Sequence, residues 1–439
     1  MIKNKISRGV LLGILSISVD GIAGLAIFPV LLYYQPKELA GLWILLTSFS
    51  ALLNLAQAGL GPVITRMATE IKIDSTDSDI EKYYLKVNYC YRIVVFLVFC
   101  ICALLYLFYI RDVLIKSNYL SSGIIVWAIM TLGYCLKIYA TKNINTVNGY
   151  GELGWDKLIQ IVVTVFSNIA YVIGLYFGLS LIFLATIFFI FSLVYLYGSK
   201  VILRIFVKMP KILSRKKINF SEVLDIFKQS LKVLILNLVS VIVLNVDILI
   251  VERFWGLNVI PLYSALVKIV TLIIAVSLLI QQMIYPYISL SWNTGVYKKA
   301  RDLYLKGLMI SLITSIVLSA LLFLTAPILI PIWIGYGNYL GAKVFGPLLL
   351  FGIVYTHFHS HVSPILATGK KTYITPAITN GILSIILGLL GAKYFGINGI
   401  ALGNIIASLI PTIYVVISTL RFFKTHSKYG GLANGEYKR

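Results

Sequence analysis

The chain has 439 residues, of which 59% are apolar and 12% charged, and its mean hydropathy is +0.92. A soluble globular protein carries about 45–50% apolar and about 25% charged residues, so a soluble enzyme is excluded and the sequence reads as an all-α polytopic membrane protein. Net charge is +22, from 38 Lys and Arg against 16 Asp and Glu. The basic residues sit in short connections between apolar runs, the pattern of topology control and not of nucleic-acid binding.

At about 20 residues per crossing, the apolar runs predict twelve spans, over about 9–34, 40–63, 88–110, 119–141, 157–177, 180–199, 229–251, 257–281, 307–330, 343–366, 373–393 and 398–420. Such runs must be helical, because lipid offers no partner to backbone N–H and C=O groups. The first run follows the basic stretch Ile2 to Arg8 and continues to Tyr34. That is too long for the core of a cleaved signal, so it is expected to remain as a helix. Pro29, Pro62, Pro327, Pro364, Pro376 and Pro411 fall within spans, where transporter helices use proline as a bend. With the N-terminus inside, the outer loops hold only Lys37, Arg111, Lys116, Arg253, Lys343 and Lys393, and Arg92, Lys137, Lys232 and Lys268 lie within spans. All other Lys and Arg fall on the inner side, which predicts an even helix count with both termini cytoplasmic.

The longest connection, about Lys200 to Lys228, contains Arg215-Lys216-Lys217 and divides the chain into halves that resemble each other. Tyr84-Leu85-Lys86 recurs as Tyr304-Leu305-Lys306, Gly151 as Gly369, and Phe177-Gly178 as Phe395-Gly396, all at an offset of about 220 residues. Six helices per repeat make the repeats parallel, with an expected cleft between two bundles and alternating access as the expected mechanism. The expected division is an N-lobe at 1–200, a basic cytoplasmic linker at 201–228, a C-lobe at 229–420 and a cytoplasmic tail at 421–439.

Chemistry-bearing motifs are few. Gly149-Tyr150-Gly151-Glu152-Leu153-Gly154 has the G-x-G-x-x-G spacing but follows a membrane helix and no strand, so it reads as a flexible cytoplasmic loop. There is no phosphate-binding G-x-x-x-x-G-K-[ST], and no cofactor is expected. Cys90, Cys100, Cys102 and Cys135 lie inside apolar segments, which argues against both disulfides and a metal site. Of His357, His359 and His361, only the first and last share a helical face. Two imidazoles without a carboxylate or thiolate make a weak metal site, so packed or interfacial histidines are expected, with proton-linked gating as the functional reading.

The charges inside spans carry the functional argument, because an ionisable group at mid-membrane costs at least about 2.5–3.5 kcal/mol and usually faces a wet cavity or a partner. Asp20 and Lys268 lie near the middle of spans one and eight and are expected to face the central cleft. Arg92, Lys137 and Lys232 lie a turn or two from cytoplasmic helix ends, where snorkelling to the headgroups is the competing explanation. Asp247 lies in the outer half of span seven. Four cations against two carboxylates suit an anionic cargo entering from inside, whereas a cavity for a cationic drug should be rich in carboxylates.

At Gly41-Leu42-Trp43, Gly59-Leu60-Gly61-Pro62 through Arg66, Val246-Asp247 through Tyr263-Ser264, Ser363-Pro364-Ile365-Leu366-Ala367-Thr368-Gly369-Lys370 and Phe395-Gly396-Ile397-Asn398-Gly399-Ile400-Ala401, the chain resembles the O-antigen (Wzx-type) polysaccharide flippases. These belong to the multidrug/oligosaccharidyl-lipid/polysaccharide exporters. The resemblance implies a MATE-like pair of six-helix lobes around a V-shaped cavity in the bacterial cytoplasmic (inner) membrane. It implies a non-enzymatic flippase that moves an undecaprenyl-diphosphate-linked oligosaccharide, an O-antigen or related lipopolysaccharide repeat unit, to the periplasmic leaflet. Its expected partners are that lipid-linked substrate, membrane lipids, a polysaccharide polymerase and chain-length proteins, and no nucleic acid. Arg66 carries over by motif position. With Arg92, Lys137 and Lys232 it is expected to attract the diphosphate, Lys268 to hold it midway, and Asp20 or Asp247 to compete on binding H⁺ or Na⁺. The rival reading is a cation-coupled multidrug exporter of the same fold.

Overall fold

Segments this apolar leave the backbone no partner but itself, and among the described residues the chain is helical throughout, without strands. The computed structural model describes residues 2–74, 76–152, 154–207, 220–368 and 373–429, with a few side chains inside helices left aside. The first compact unit, Met1–Val241, contains α1 (Ile2–Tyr34), α2 (Lys37–Ala58), α3 (Leu60–Asp74) and α4 (Asp77–Leu105). A π-helical stretch, Tyr106–Ile110, continues α4 into α5 (Arg111–Lys116), and α6 (Leu120–Gly149), α7 (Trp155–Tyr176) and α8 (Leu181–Phe206) follow. Helix α9 (Phe220–Trp255) begins in this unit and ends in the second, Ile242–Arg439. The second unit continues with α10 (Ile260–Asn293), α11 (Tyr297–Ile334), α12 (Ala342–Ala367), α13 (Ile374–Phe395) and α14 (Ile397–Tyr429).

The predicted spans fall on helical segments, not always on a single helix. Among the described residues nine helices are long and apolar enough to cross a membrane. The span predicted over about 40–63 is interrupted at Gly59, where α2 gives way to α3. A Cβ at Gly59 would run into the Ser230 carbonyl of α9, so only glycine allows that approach.

Neighbour relations within one unit recur in the other. In the first unit α6 packs on α8 and on α4, and α7 packs on α8; in the second α12 packs on α14 and on α11, and α13 packs on α14. Faces turned away from these contacts are apolar. Helix α7 exposes Val162, Phe166, Ile169 and Ile173 at helical spacing, and α11 exposes Ile313, Val317, Leu324 and Ile328. Exposed stripes of this kind are expected where helices meet acyl chains, since lipid tails are as apolar as the side chains.

Small residues bring helices together where lipid supplies no hydrophobic drive. Helices α13 and α14 approach so closely that a Cβ at Gly391 would clash with Gly399, and one at Gly403 with the Leu387 carbonyl. The glycine-rich connection Gly149 to Gly154 joins α6 to α7. Gly151 and Gly154 adopt left-handed backbone (φ 79° and 95°). Glu152 pairs with Arg8 at 3.2 Å, and Arg8 lies 5.0 Å from the centre of the Trp155 ring. Leu153 lies outside the described residues. At the start of α9, Glu222 accepts from Lys86 and Lys82 of α4, and these bonds hold its carboxyl below the ordinary value.

Two outcomes follow from this packing. Gly403→Leu should lower the thermal midpoint of the detergent-solubilised protein by several degrees, since forcing bulk into a filled contact costs about 1–3 kcal/mol. Gly13→Ala, with open space around its Cβ, should leave the midpoint unchanged or raise it. Because Glu222 is held below its ordinary value, its tie is complete above the unfolded carboxyl pKa and is lost as pH falls through the folded one. Hydrogen exchange over residues 220–228 should therefore accelerate on acidification, and Glu222→Gln should show that faster exchange already at neutral pH.

Candidate functional site

In the first unit, Asp20 stands on α1 and turns toward α7. Gln160 Nε2 donates to its Oδ2 at 2.7 Å, and Thr164 Oγ1 donates to its Oδ1 at 2.8 Å. Gln160 and Thr164 are one turn apart, so α7 presents both donors on the face that packs on α1. Lys137, half-buried on α6, feels the Asp20 carboxylate electrostatically. Sequence reasoning gives Asp20 and Lys137 separate roles, and the fold brings them into one polar patch.

Helix α6 extends to Gly149, seven residues past Lys142, and so carries into the helix a lysine that hydropathy assigns to a loop. Lys142 is only 2% exposed. Its ammonium donates to Asn88 Oδ1 and lies 3.5 Å from the centre of the Tyr139 ring, with the Tyr84 ring at 5.5 Å. Tyr139 donates to the same Asn88 oxygen at 3.1 Å. Among the described residues Lys142 makes no ion pair, and Arg92 on α4 and Lys200 on α8 add their positive charge to it. Both of those side chains are exposed. Here is a concentration of cations built by three helices around one buried lysine. The only signal for it in the sequence is Tyr139 and Lys142 three residues apart, with Tyr84 and Asn88 four apart on α4, and it is hidden because hydropathy ends the span too early.

Arg66 is exposed on α3, donating to Gln229 Oε1 of α9 at 2.6 Å and pairing with Glu70 at 3.5 Å. It is thus apart from the Lys142 group in its contacts. Lys232 lies on α9, and its side chain is outside the described residues; so are Gly369 and Lys370 of the Pro-x-x-x-x-Gly-Lys stretch and the basic run Arg215-Lys216-Lys217.

In the second unit Asp247 is buried on α9, and neutral donors hold it. Tyr263 Oη donates at 2.9 Å, and Asn404 Nδ2 at 2.8 and 3.0 Å to its two oxygens. One turn beyond Asn404 on α14, Ser408 donates to Asn380 Oδ1 of α13 at 3.1 Å, extending the polar patch between helices. Lys268 is half-buried on α10, where its carbonyl accepts from Thr271. Groups of three or more His, Cys, Asp or Glu able to hold a metal are absent among the described residues, and the four cysteines are free.

Comparison with known proteins returns a structural answer only. No family model matches the chain, and no curated protein matches it. Among solved structures it is similar to the lipid II flippase MurJ in an inward closed conformation, at TM-score 0.70 and 16% identity over 96% of this chain and 91% of that one. It is also similar to an inward-facing multidrug resistance MATE family transporter of the MOP superfamily, at TM-score 0.68 and 14% identity over 93% and 94%. A point mutant of the Vibrio cholerae MATE transporter VcmN aligns at TM-score 0.65 and 14% identity over 97% of both chains. The chain therefore has the fold shared by MATE transporters and the MurJ flippase.

Proposed function

We propose that this protein is a flippase of the polysaccharide branch. It carries an undecaprenyl-diphosphate-linked oligosaccharide, an O-antigen or related repeat unit, from the cytoplasmic to the periplasmic leaflet of a bacterial cytoplasmic membrane. In this reading the twelve spans form two six-helix lobes with both termini cytoplasmic, and the polar head crosses through a cationic interlobe cavity by alternating access while the polyprenyl tail stays in lipid. One observation carries the reading: the in-span carboxylates are occupied by neutral donors, whereas the buried Lys142 has no carboxylate among the described residues and gathers further cations around it. A diphosphate brings about two negative charges and answers that surplus.

Arg66, Arg92, Lys137 and Lys232, now joined by Lys142, attract the diphosphate near the cytoplasm, and Lys268 holds it midway. Arg suits bidentate contact with phosphate oxygens, while Lys acts as a point charge. Moving negative charge outward gains about 2.3 kcal/mol per charge for each 100 mV of membrane potential. Release needs a competitor for the cation, and Asp20 or Asp247 serves on taking up H⁺ or Na⁺. Likeness to the MATE transporters supports a second reading, a cation-coupled multidrug exporter in which those carboxylates face the cargo.

Complementation of a flippase-null strain separates the two. Lys268→Ala should abolish surface polysaccharide at normal expression, and Lys268→Arg should restore part of it. Lys142→Met should lower surface polysaccharide several-fold with the protein still in the membrane. Wild-type polysaccharide in a well-expressed Lys268→Ala strain would remove Lys268 from the path, and drug resistance without any effect on glycan would establish the exporter.

A further inference from the structure

Helices α10, α11 and α12 meet pairwise in the second unit, and their contact carries polar atoms with no partner. Ser277 and Gln281 on α10, Ser311 on α11, and Thr356, Ser360 and His361 on α12 are each at most 1% exposed. Each has a side-chain polar atom that finds no hydrogen bond, and both amide atoms of Gln281 are among them. Their heights along the helices agree. A Cβ at Gly307 would lie 3.1 Å from Gln281 Nε2, and one at Gly352 would lie 2.8 Å from Val270 and 3.8 Å from Ile274. The short turn after α10 makes α11 antiparallel to it, so Ser277 falls level with Ser311. Helix α12 runs parallel to α10, and the Gly352 contact puts Thr356 level with Ser277 and Ser360 with Gln281. Unsatisfied groups at matched heights on three helices form one seam.

His361 lies at the end of that seam. Its Nδ1 is 2.6 Å from Tyr304 Oη of α11, and its Nε2 is buried and unpartnered. The His357 ring lies one turn back, edge-on with centroids 4.7 Å apart, and its Nδ1 is also unpartnered. The titratable groups facing His361 are thus Tyr304 from α11 and His357 from its own helix. Helix α10 presents the neutral Gln281, and α14 presents Phe423, stacked on Tyr304. His359 packs against Tyr355, on another side of α12. The start of α11 carries Lys298, Lys299 and Arg301, so this end of the seam lies close to water and headgroups.

A buried polar atom without a partner costs about 1–3 kcal/mol, and buried water that makes two to four hydrogen bonds is how polar interiors remove that cost. We propose that the α10–α11–α12 seam holds a chain of internal water that delivers a proton to His361 Nε2. In the receiving state the neutral imidazole keeps its proton on Nδ1 and donates it to Tyr304 Oη. A hydronium in the chain gives up one O–H bond, an Nε2–H bond forms, and water remains. The imidazolium then donates from both nitrogens, to Tyr304 and to the chain. The seam is a proton-binding site within one unit. Its use to drive lipid flipping rests on the function proposed above, whereas its existence does not.

The chain has four histidines, few enough to resolve one by one. Solid-state NMR of the full-length protein, labelled with ¹⁵N-histidine and reconstituted in phosphatidylethanolamine–phosphatidylglycerol liposomes, reads the site without any sugar-lipid substrate. His361→Gln assigns the resonance, and His357→Gln, His359→Gln and His426→Gln together assign it by elimination should the first variant not fold. The expected result is a water-proton cross-peak to His361 Nε2 at neutral pH and reversible conversion to the doubly protonated ring on acidification. A His361 ring without water contact, or one still neutral about two units below the ordinary imidazole pKa of about 6.5, would overturn the proposal. Loss of flipping in Lys268→Ala tests the other reading and leaves this one untouched.

Discussion

A helix in hydrocarbon satisfies its own backbone but leaves each polar side chain to find a partner, and in this chain that second requirement decides much of which helices touch. Asp20 fixes α1 to α7 through Gln160 and Thr164. Asp247 fixes α9 to α10 and α14 through Tyr263 and Asn404. In both cases the donors are neutral. Neutral donors stabilise the charged form less than a cation would, so a proton or a metal cation arriving at Asp247 competes against hydrogen bonds alone, whereas at Asp20 it also meets the field of Lys137. An ion pair of the same geometry would hold the carboxylate more firmly and resist exchange.

The cations are held differently. Lys142 has its ammonium against an amide oxygen and an aromatic face, with Arg92 and Lys200 adding repulsion. Cation–π contact is worth about 0.5–2 kcal/mol, less than the several kcal/mol that taking an ammonium out of water costs. The residual deficit is the physical ground for the proposal that the α4–α6–α8 group receives an anion. An apolar residue at this position would stabilise the unit more, so the lysine has to be explained by something outside the resting fold.

What the sequence discloses depends on the range of the interaction. The apolar runs place the helices, because span length and backbone satisfaction act locally; Asp20, Lys137, Asp247 and Lys268 stand out because charge is anomalous in any such run. Partners are illegible. Nothing in the chain order joins Asp20 to Gln160 and Thr164, or Asp247 to Asn404, since those contacts form between helices distant in sequence. Lys142 is hidden for a different reason: hydropathy falls off toward Asn143 and Asn145, whereas the helix continues on side-chain bonds such as Asn143 to Ser199 and Asn145 to Tyr91. The glycine-rich stretch after it is legible as a connection, but the Arg8–Glu152 pair within reach of it is supplied only by the fold.

The serines of the second unit show the same limit from the other side. Ser311, Ser315 and Ser319 recur every fourth residue on α11, a spacing that by itself reads as small residues easing helix contact. Ser315 behaves that way, donating its hydroxyl to the Leu312 carbonyl, whereas Ser311 and Ser319 do not. A seam needing only close approach would be served as well by alanine, which leaves no hydroxyl to satisfy. Ser311, level with Ser277 and Thr356, costs stability unless something polar enters between the helices. Water is small enough to do so without separating them, and it makes a row of unrelated polar residues into one connected path.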